Sequence, residues 1–240
     1  MSEQGAGNVV GLPEGRPLQI LVVGKKHEGK SELTYCLWDS WEGDRAVLDT
    51  TKDFIGKHPE EETITIEPPA PSRWPEHLRR DGRRLSLRYV PDVSAPDWRE
   101  EADRFIGTCY EHGHMLVVIE EVGDFAPVGL PLPHMRAVLH HGRHQGLWTV
   151  MNGPRTIGID VLGLAQADVV YFYRLPSARD RKRLADNIGV EAETMDEAVF
   201  ALGPHEYGRW VDGSGEAELV LFPPLPLPQG TVAERHMEGR

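Results

Sequence analysis

The stretch Gly24-Lys25-Lys26-His27-Glu28-Gly29-Lys30-Ser31 governs how every other part of this chain is read. It follows an apolar run at 18–23 and opens into a helical-looking segment at 32–41. Strand, glycine loop and helix, in that order, are the setting in which G-x-x-x-x-G-K-[ST] forms a phosphate-binding loop. Successive backbone N–H groups and the positive end of the helix cradle a polyphosphate there. The expected binding residues are Gly24, Lys25, Lys26, His27, Glu28, Gly29, Lys30, Ser31 and Glu32. Lys30 is expected to neutralise the β- and γ-phosphates, and the Ser31 hydroxyl to hold Mg²⁺. The ligand expected is a nucleoside triphosphate, ATP. The competing reading is an ordinary glycine-rich turn between a strand and a helix.

Composition agrees with one such domain. A chain of 240 residues can bury a sizeable core but would crowd a second full domain. Its 40 % hydrophobic and 27 % charged residues are those of an ordinary globular protein. A net charge of −12 and a pI near 5.4 argue against a general nucleic-acid-binding surface, so any DNA contact has to be local. Cys36 and Cys109 form no C-x-x-C pair, which suggests a reducing compartment and two small buried hydrophobes. No apolar run reaches the ~18 residues of a membrane helix, so the chain is not expected to be transmembrane. No amino-terminal stretch reads as a signal peptide.

Outward from the loop, residues 1–16 are glycine-rich and polar and read as a flexible arm. The apolar run at 18–23 has the pattern of a strand buried on both faces of a parallel sheet. A second strand is expected at 46–49, leading into Asp49-Thr50-Thr51-Lys52. Prolines punctuate 67–75, the densest basic run lies at 78–84, and a strand is expected at 85–90. That basic run reads as a solvated turn or as a loop facing a polyanion. Residues 98–112 read as a helix with Trp98, Ala102, Phe105, Ile106 and Cys109 on one face.

The second chemical element is Met115-Leu116-Val117-Val118-Ile119, closed by Glu120-Glu121. A buried strand that delivers two carboxylates to its end resembles the Walker B motif. ATPases so built use the first carboxylate for the Mg²⁺ shell and the second to polarise the attacking water. A proline-bracketed loop at 126–133 then leads to a helix expected at 134–141. Gly142-Arg143-His144-Gln145-Gly146 precedes a strand at 147–151 that ends in Asn152-Gly153-Pro154-Arg155. A short helix near 159–164, a strand at 168–173 and helices at 176–188 and 191–201 follow, the first of these helices carrying Arg179, Arg181, Lys182 and Arg183. Residues 206–211 and 216–222 read as a β-hairpin, and 223–240 as a proline-rich tail. His134, His140, His141 and His144 have no cysteine or paired carboxylate at ligand spacing, so no metal site is expected on them.

Taken together, these spaced motifs resemble the FtsK–HerA superfamily of ring-forming, DNA-translocating ATPases. The compact domain at 17–222 looks most like the genome-packaging ATPases of tailless, membrane-containing icosahedral viruses. The resemblance implies an α/β RecA-like (ASCE) P-loop fold with a mostly parallel central sheet flanked by helices. In such a sheet another strand separates the Walker A and B strands. It also implies ATP hydrolysis with Mg²⁺, a homo-oligomeric ring, usually a hexamer, and double-stranded DNA as the partner. On the same basis, proteins of a capsid vertex or a viral membrane are expected partners. The expected location is the host cytoplasm, with attachment to the packaging vertex of a virion. Residue by residue, Lys30 and Ser31 become the nucleotide and Mg²⁺ residues, and Glu121 the catalytic carboxylate. Glu120 stands where the family usually has Asp, and Asn152 where it usually has the Gln that senses the γ-phosphate. Arg143 matches the arginine finger that enters a neighbouring subunit's site, with Arg155 its rival. The competing function is a small-molecule kinase, or a regulatory nucleotide-binding module, on the same P-loop fold. A kinase would carry its base elsewhere and need a lid with arginines, so Glu120-Glu121 and Arg143 favour the motor.

Overall fold

A computed structural model describes residues 16–52, 54, 64–66, 84–212 and 219–225. The prolines at 67–75, the basic run except Arg84, the hairpin turn at 213–215 and almost all of both terminal segments lie outside these residues.

Nine strands form one sheet: β1 (Gln19–Val23), β2 (Asp44–Leu48), β3 (Ile64–Ile66), β4 (Ser86–Tyr89), β5 (Met115–Ile119), β6 (Trp148–Gly153), β7 (Val169–Phe172), β8 (Tyr207–Val211) and β9 (Val220–Phe222). Their spatial order is β3-β4-β2-β5-β6-β1-β7-β8-β9. The pairings from β3 through β7 are all parallel, and those of β8 with β7 and with β9 are antiparallel. The reason is legible in β1 and β5, whose residues are all buried. A parallel strand covered by helices on both faces must be apolar on both. Successive side chains point to opposite faces, so Leu21 and Val23 join one core and Ile20 and Val22 the other. In β5, Val117 and Ile119 likewise enter the first core, and Leu116 and Val118 the second. Each such side chain contributes about 1.5–3 kcal/mol of burial energy, an upper bound because unfolded chains are partly compact.

The helices are α1 (Lys30–Asp39), α2 (Trp98–His112), α3 (Pro133–His141), α4 (Val161–Ala165), α5 (Ala178–Ile188) and α6 (Ala192–Ala201). Through Leu33, Leu37 and Trp38, α1 covers the second core. The first core is covered by α2 with its predicted stripe of Trp98, Ala102, Phe105, Ile106 and Cys109, and by α3 through Met135, Val138 and Leu139.

Several boundaries differ from the sequence reading, each for a polar reason. Gln19 interrupts the run at 18–23, yet it is buried. Its Nε2 donates to the carbonyls of Val138 (3.1 Å) and Leu139 (2.9 Å) in the last turns of α3, tying β1 to that helix. Helix α1 starts at Lys30 rather than Glu32, so the loop's own lysine and serine form its first turn. The strand expected at 147–151 extends through Asn152 and Gly153, which pair with Val22 and Val23 of β1. Helix α5 begins at Ala178 because Ser177 caps it, accepting from the Asp180 N–H at 3.3 Å.

Candidate nucleotide site

Because the strands from β3 to β7 are parallel, their carboxyl ends share one edge of the sheet. That edge carries Gly24 after β1, Asp49 after β2, Glu120-Glu121 after β5, Asn152 near the end of β6 and Tyr173-Arg174 after β7. In open α/β sheets this is the edge where ligands bind. Strand β6 lies between β1 and β5, so the loop strand and the acid strand are separated by the strand that carries Asn152.

The glycine loop is built as the motif requires. Gly24 has φ +153°, and a Cβ there would stand 2.5 Å from Tyr173 Cβ, so no larger residue fits. Gly29, at φ +107°, caps α1, and its carbonyl accepts from Leu33 N at 3.1 Å. Lys25, Lys26 and His27 form the exposed tip, with His27 in the left-handed region at φ 65°. Ser31 and Glu32 are half-buried in the first turn of α1. Lys30 folds over the loop and donates from Nζ to the Lys25 carbonyl at 3.0 Å. Burial lowers its pKa, while the charges of Glu121, Glu120 and Glu32 act in the opposite direction.

Glu120 is only 6 % exposed. Burial pushes its carboxyl up to about 7; the charges of Asp49 and Glu121 add to the rise, and the Asn152 hydrogen bond and Lys30 oppose it. Asn152 Nδ2 donates to both of its oxygens, at 3.3 and 3.2 Å, and faces Thr34 Oγ1 at 3.4 Å. Asn152 Oδ1 is buried without a hydrogen-bond partner. An under-neutralised carboxylate beside an orphaned amide oxygen suits a hard, oxygen-seeking cation. Glu120 and the Asn152 amide oxygen would thus fit Mg²⁺, which would supply charge neutralisation for phosphates.

Glu121 adopts φ 50° and ψ 51°, a left-handed conformation costly for a residue with a side chain. The kink turns the chain from β5 into the 3₁₀ turn Val122–Asp124. It leaves Glu121 half-buried, with its pKa raised by burial and countered by Lys26 and Lys30. The two carboxylates thus differ in their surroundings: Glu120 is buried against Asn152, and Glu121 faces the loop lysines. Asp49, fully buried, is taken up by Arg88 (Nε 2.8 Å, Nη2 2.7 Å) and Thr51 Oγ1 (3.2 Å).

The two arginines offered by the sequence lie at opposite edges. Arg155 follows β6 at the nucleotide edge and donates to Asp180 at 3.2 Å with its side chain 57 % exposed. Arg143 sits in the 3₁₀ turn Gly142–Gln145 ahead of β6. It donates to Asp168 Oδ1 (2.7 Å) and Gln166 Oε1 (3.1 Å), at the start of β7. Arg16, the last residue of the expected arm, reaches the same Asp168 oxygen at 3.1 Å. Of the four cations expected on α5, Arg181 is buried and bound to Asp196 and to the carbonyls of Leu175 and Pro176. Arg179, Lys182 and Arg183 line a surface groove of about 570 Å³ beside Val128 and Val161.

Within the loop, the Glu28 side chain has a partner from another strand end. Its carboxylate is 4 % exposed and turned away from the loop's tip, accepting two bonds from Arg174, Nε at 2.9 Å and Nη2 at 2.7 Å. The carboxylate thus ties the loop to Arg174, just after β7. Sequence reasoning missed Arg174 and Tyr173 altogether, although residues that end a parallel strand beside β1 are natural neighbours of its loop.

No protein-family model matches the chain, and no curated protein sequence matches it. Solved structures do. The genome-packaging NTPase B204 of Sulfolobus turreted icosahedral virus 2, in complex with AMP, is 15 % identical with a TM-score of 0.65, covering 89 % of this chain and 100 % of that one. The same NTPase in complex with ATP-gammaS gives 14 % identity and a TM-score of 0.63 over 89 % and 100 %. B204, the DNA-packaging ATPase of Sulfolobus turreted icosahedral virus, gives 14 % and 0.63 over 88 % and 100 %. The chain therefore has the RecA-like P-loop NTPase fold of these packaging proteins, with the expected mostly parallel sheet flanked by helices and a C-terminal antiparallel pair.

Proposed function

We propose that this chain is an ATPase of the FtsK–HerA kind that moves double-stranded DNA, packaging a viral genome into a preformed capsid. The observation that carries the reading is the joining of three motifs at one edge: the Lys30 loop, Glu120-Glu121, and Asn152 bonded to Glu120 on the strand between them. In this reading the loop amides and Lys30 hold the ATP phosphates, and Ser31 and Glu120 hold Mg²⁺. Glu121 takes the proton of the attacking water, and Asn152 orients that water at the γ-phosphate. A homo-oligomeric ring, usually hexameric in the family, places Arg143 in the next subunit's site. Across a five-residue strand, roughly 15 Å deep, Arg143 has no path to its own P-loop, so any action on phosphate must be in trans. Arg155, exposed at the nucleotide edge, is the rival finger. A capsid vertex or viral membrane protein would be the docking partner, in the host cytoplasm or on the virion.

The test is ATP turnover with and without duplex DNA, alongside the mass in solution. Stimulation by DNA from an oligomer supports the motor, and DNA-independent phosphorylation of a metabolite would replace it with a kinase. A folded Lys30→Ala variant with wild-type ATP affinity would remove the P-loop assignment itself.

A further inference from the structure

A carboxylate in the middle of a phosphate-binding loop is electrostatically out of place. Glu28 lies one residue before Gly29 and two before Lys30, within the loop that should attract a polyanion. Left alone, its charge would repel the phosphates and compete with them for the loop's lysines, Lys30 among them. The fold deals with it through the dipeptide Tyr173-Arg174. The Arg174 guanidinium grips both carboxylate oxygens, at 2.9 and 2.7 Å, and its carbonyl accepts from Lys25 N at 3.0 Å. The neighbouring Tyr173 hydroxyl donates to the Gly29 carbonyl at 2.9 Å. The entrance of the loop at Lys25 and its exit at Glu28 and Gly29 are thus held by one pair of residues, about 145 positions away in the chain.

We propose that Arg174 is a positioning residue for the nucleotide: it neutralises Glu28, turns that carboxylate out of the phosphate path and leaves Lys30 free for the ligand. The bidentate geometry suits this role, because a planar guanidinium fixes both oxygens at once, whereas an ammonium offers only a point charge. The Arg174 side chain remains 42 % exposed while Glu28 is buried, so losing Arg174 strands a carboxylate with no other cation bonded to it among the described residues. The inference rests on the reading that this loop binds a nucleoside triphosphate, and ATP itself is the probe.

The experiment is ATP titration by calorimetry on the full chain for wild type, Lys30→Ala, Arg174→Ala, Arg174→Lys and the double variant Arg174→Ala/Glu28→Gln, with thermal melts as a folding control. Arg174→Ala is expected to bind ATP about ten- to a hundredfold more weakly. Adding Glu28→Gln should recover most of that loss, and Arg174→Lys should lie between wild type and Arg174→Ala. A purely mechanical pin would give another pattern, because Gln keeps the shape of Glu and leaves the pin just as broken. A double variant as weak as Arg174→Ala would therefore overturn the proposal, as would wild-type affinity in Arg174→Ala. If Arg174→Ala does not fold, the double variant and Arg174→Lys still decide, because both lack the naked charge; equal, severe loss in both would overturn it. A wild-type protein that does not bind ATP, or a Lys30→Ala variant that binds equally well, would instead bring down the P-loop reading, a result distinct from the failure of Arg174.

Discussion

Two buried carboxylates at opposite edges of the sheet show the division of labour in this molecule. Asp168, at the amino end of β7, accepts from Arg143 and Arg16 on one oxygen and from the backbone N–H of Gln19 on the other. Glu120, at the carboxyl end of β5, has among the described residues one weak donor, the Asn152 amide, and its carboxyl is pushed up to about 7. Both are at least 94 % buried, so exposure does not separate them; neutralisation does. A carboxylate surrounded by donors is part of the framework, whereas one left short of positive charge is poised for something that arrives later. Left-handed backbone, by contrast, occurs at both edges: His114, just before β5, has φ 48°. The nucleotide edge contains the left-handed residues His27 and Glu121, a conformation that side chains adopt at a cost.

Variants at the two edges should fail in different ways, and the largest effect should come from Arg143. If Arg143 leaves Asp168 to serve a neighbour, Arg143→Ala should lower turnover by ~10³–10⁵ and leave ATP affinity intact. Mixing it with Lys30→Ala subunits should restore part of the activity. Full activity in Arg143→Ala alone would confine that arginine to the framework and pass the finger to Arg155. Glu121→Gln comes next: it keeps the shape, removes the base and should cut hydrolysis by ~10²–10⁴ with ATP still bound. Normal turnover would show that the end of β5 is not the catalytic site.

The framework carboxylate should instead appear in stability. Asp168→Asn removes a buried carboxylate that bonds two part-exposed arginines and should cost about 1–3 kcal/mol in denaturant unfolding, with ATP affinity unchanged. Glu120→Gln should move stability the other way at pH 8. With its folded pKa above its ordinary value, Glu120 binds more protons folded than unfolded between about 4.5 and 7, so its contribution falls as pH rises through that window. Removing the charge should recover on the order of 3 kcal/mol at pH 8, little at pH 4, and weaken the dependence of turnover on Mg²⁺. A Glu120→Gln variant destabilised as much as Asp168→Asn would erase the distinction between the two edges.

Much of this was legible before any coordinates. The Gly24–Ser31 loop announces its own turn because glycines at φ +153° and +107° leave little choice of backbone, and unbroken apolar strands announce a parallel sheet. The stripe on α2 was readable because helical period and burial coincide at every predicted position. The ion pair of Glu28 was not readable, because its partner Arg174 lies 146 positions away. Asn152 was readable as a strand-end polar group, but not as the partner of Glu120.

What the sequence determined by itself is what short-range chemistry can specify: the loop, the apolar periodicity, and the order of strands and helices that follows from them. Only the tertiary structure decided which charges are paired. It placed Arg174 on Glu28, Arg143 on Asp168 and Asn152 on Glu120, and it set the Glu120 carboxyl near neutrality. The physical reason is that a group's charge state depends on how much water it has lost and on which groups face it across the fold. Neither quantity is written in its neighbours along the chain.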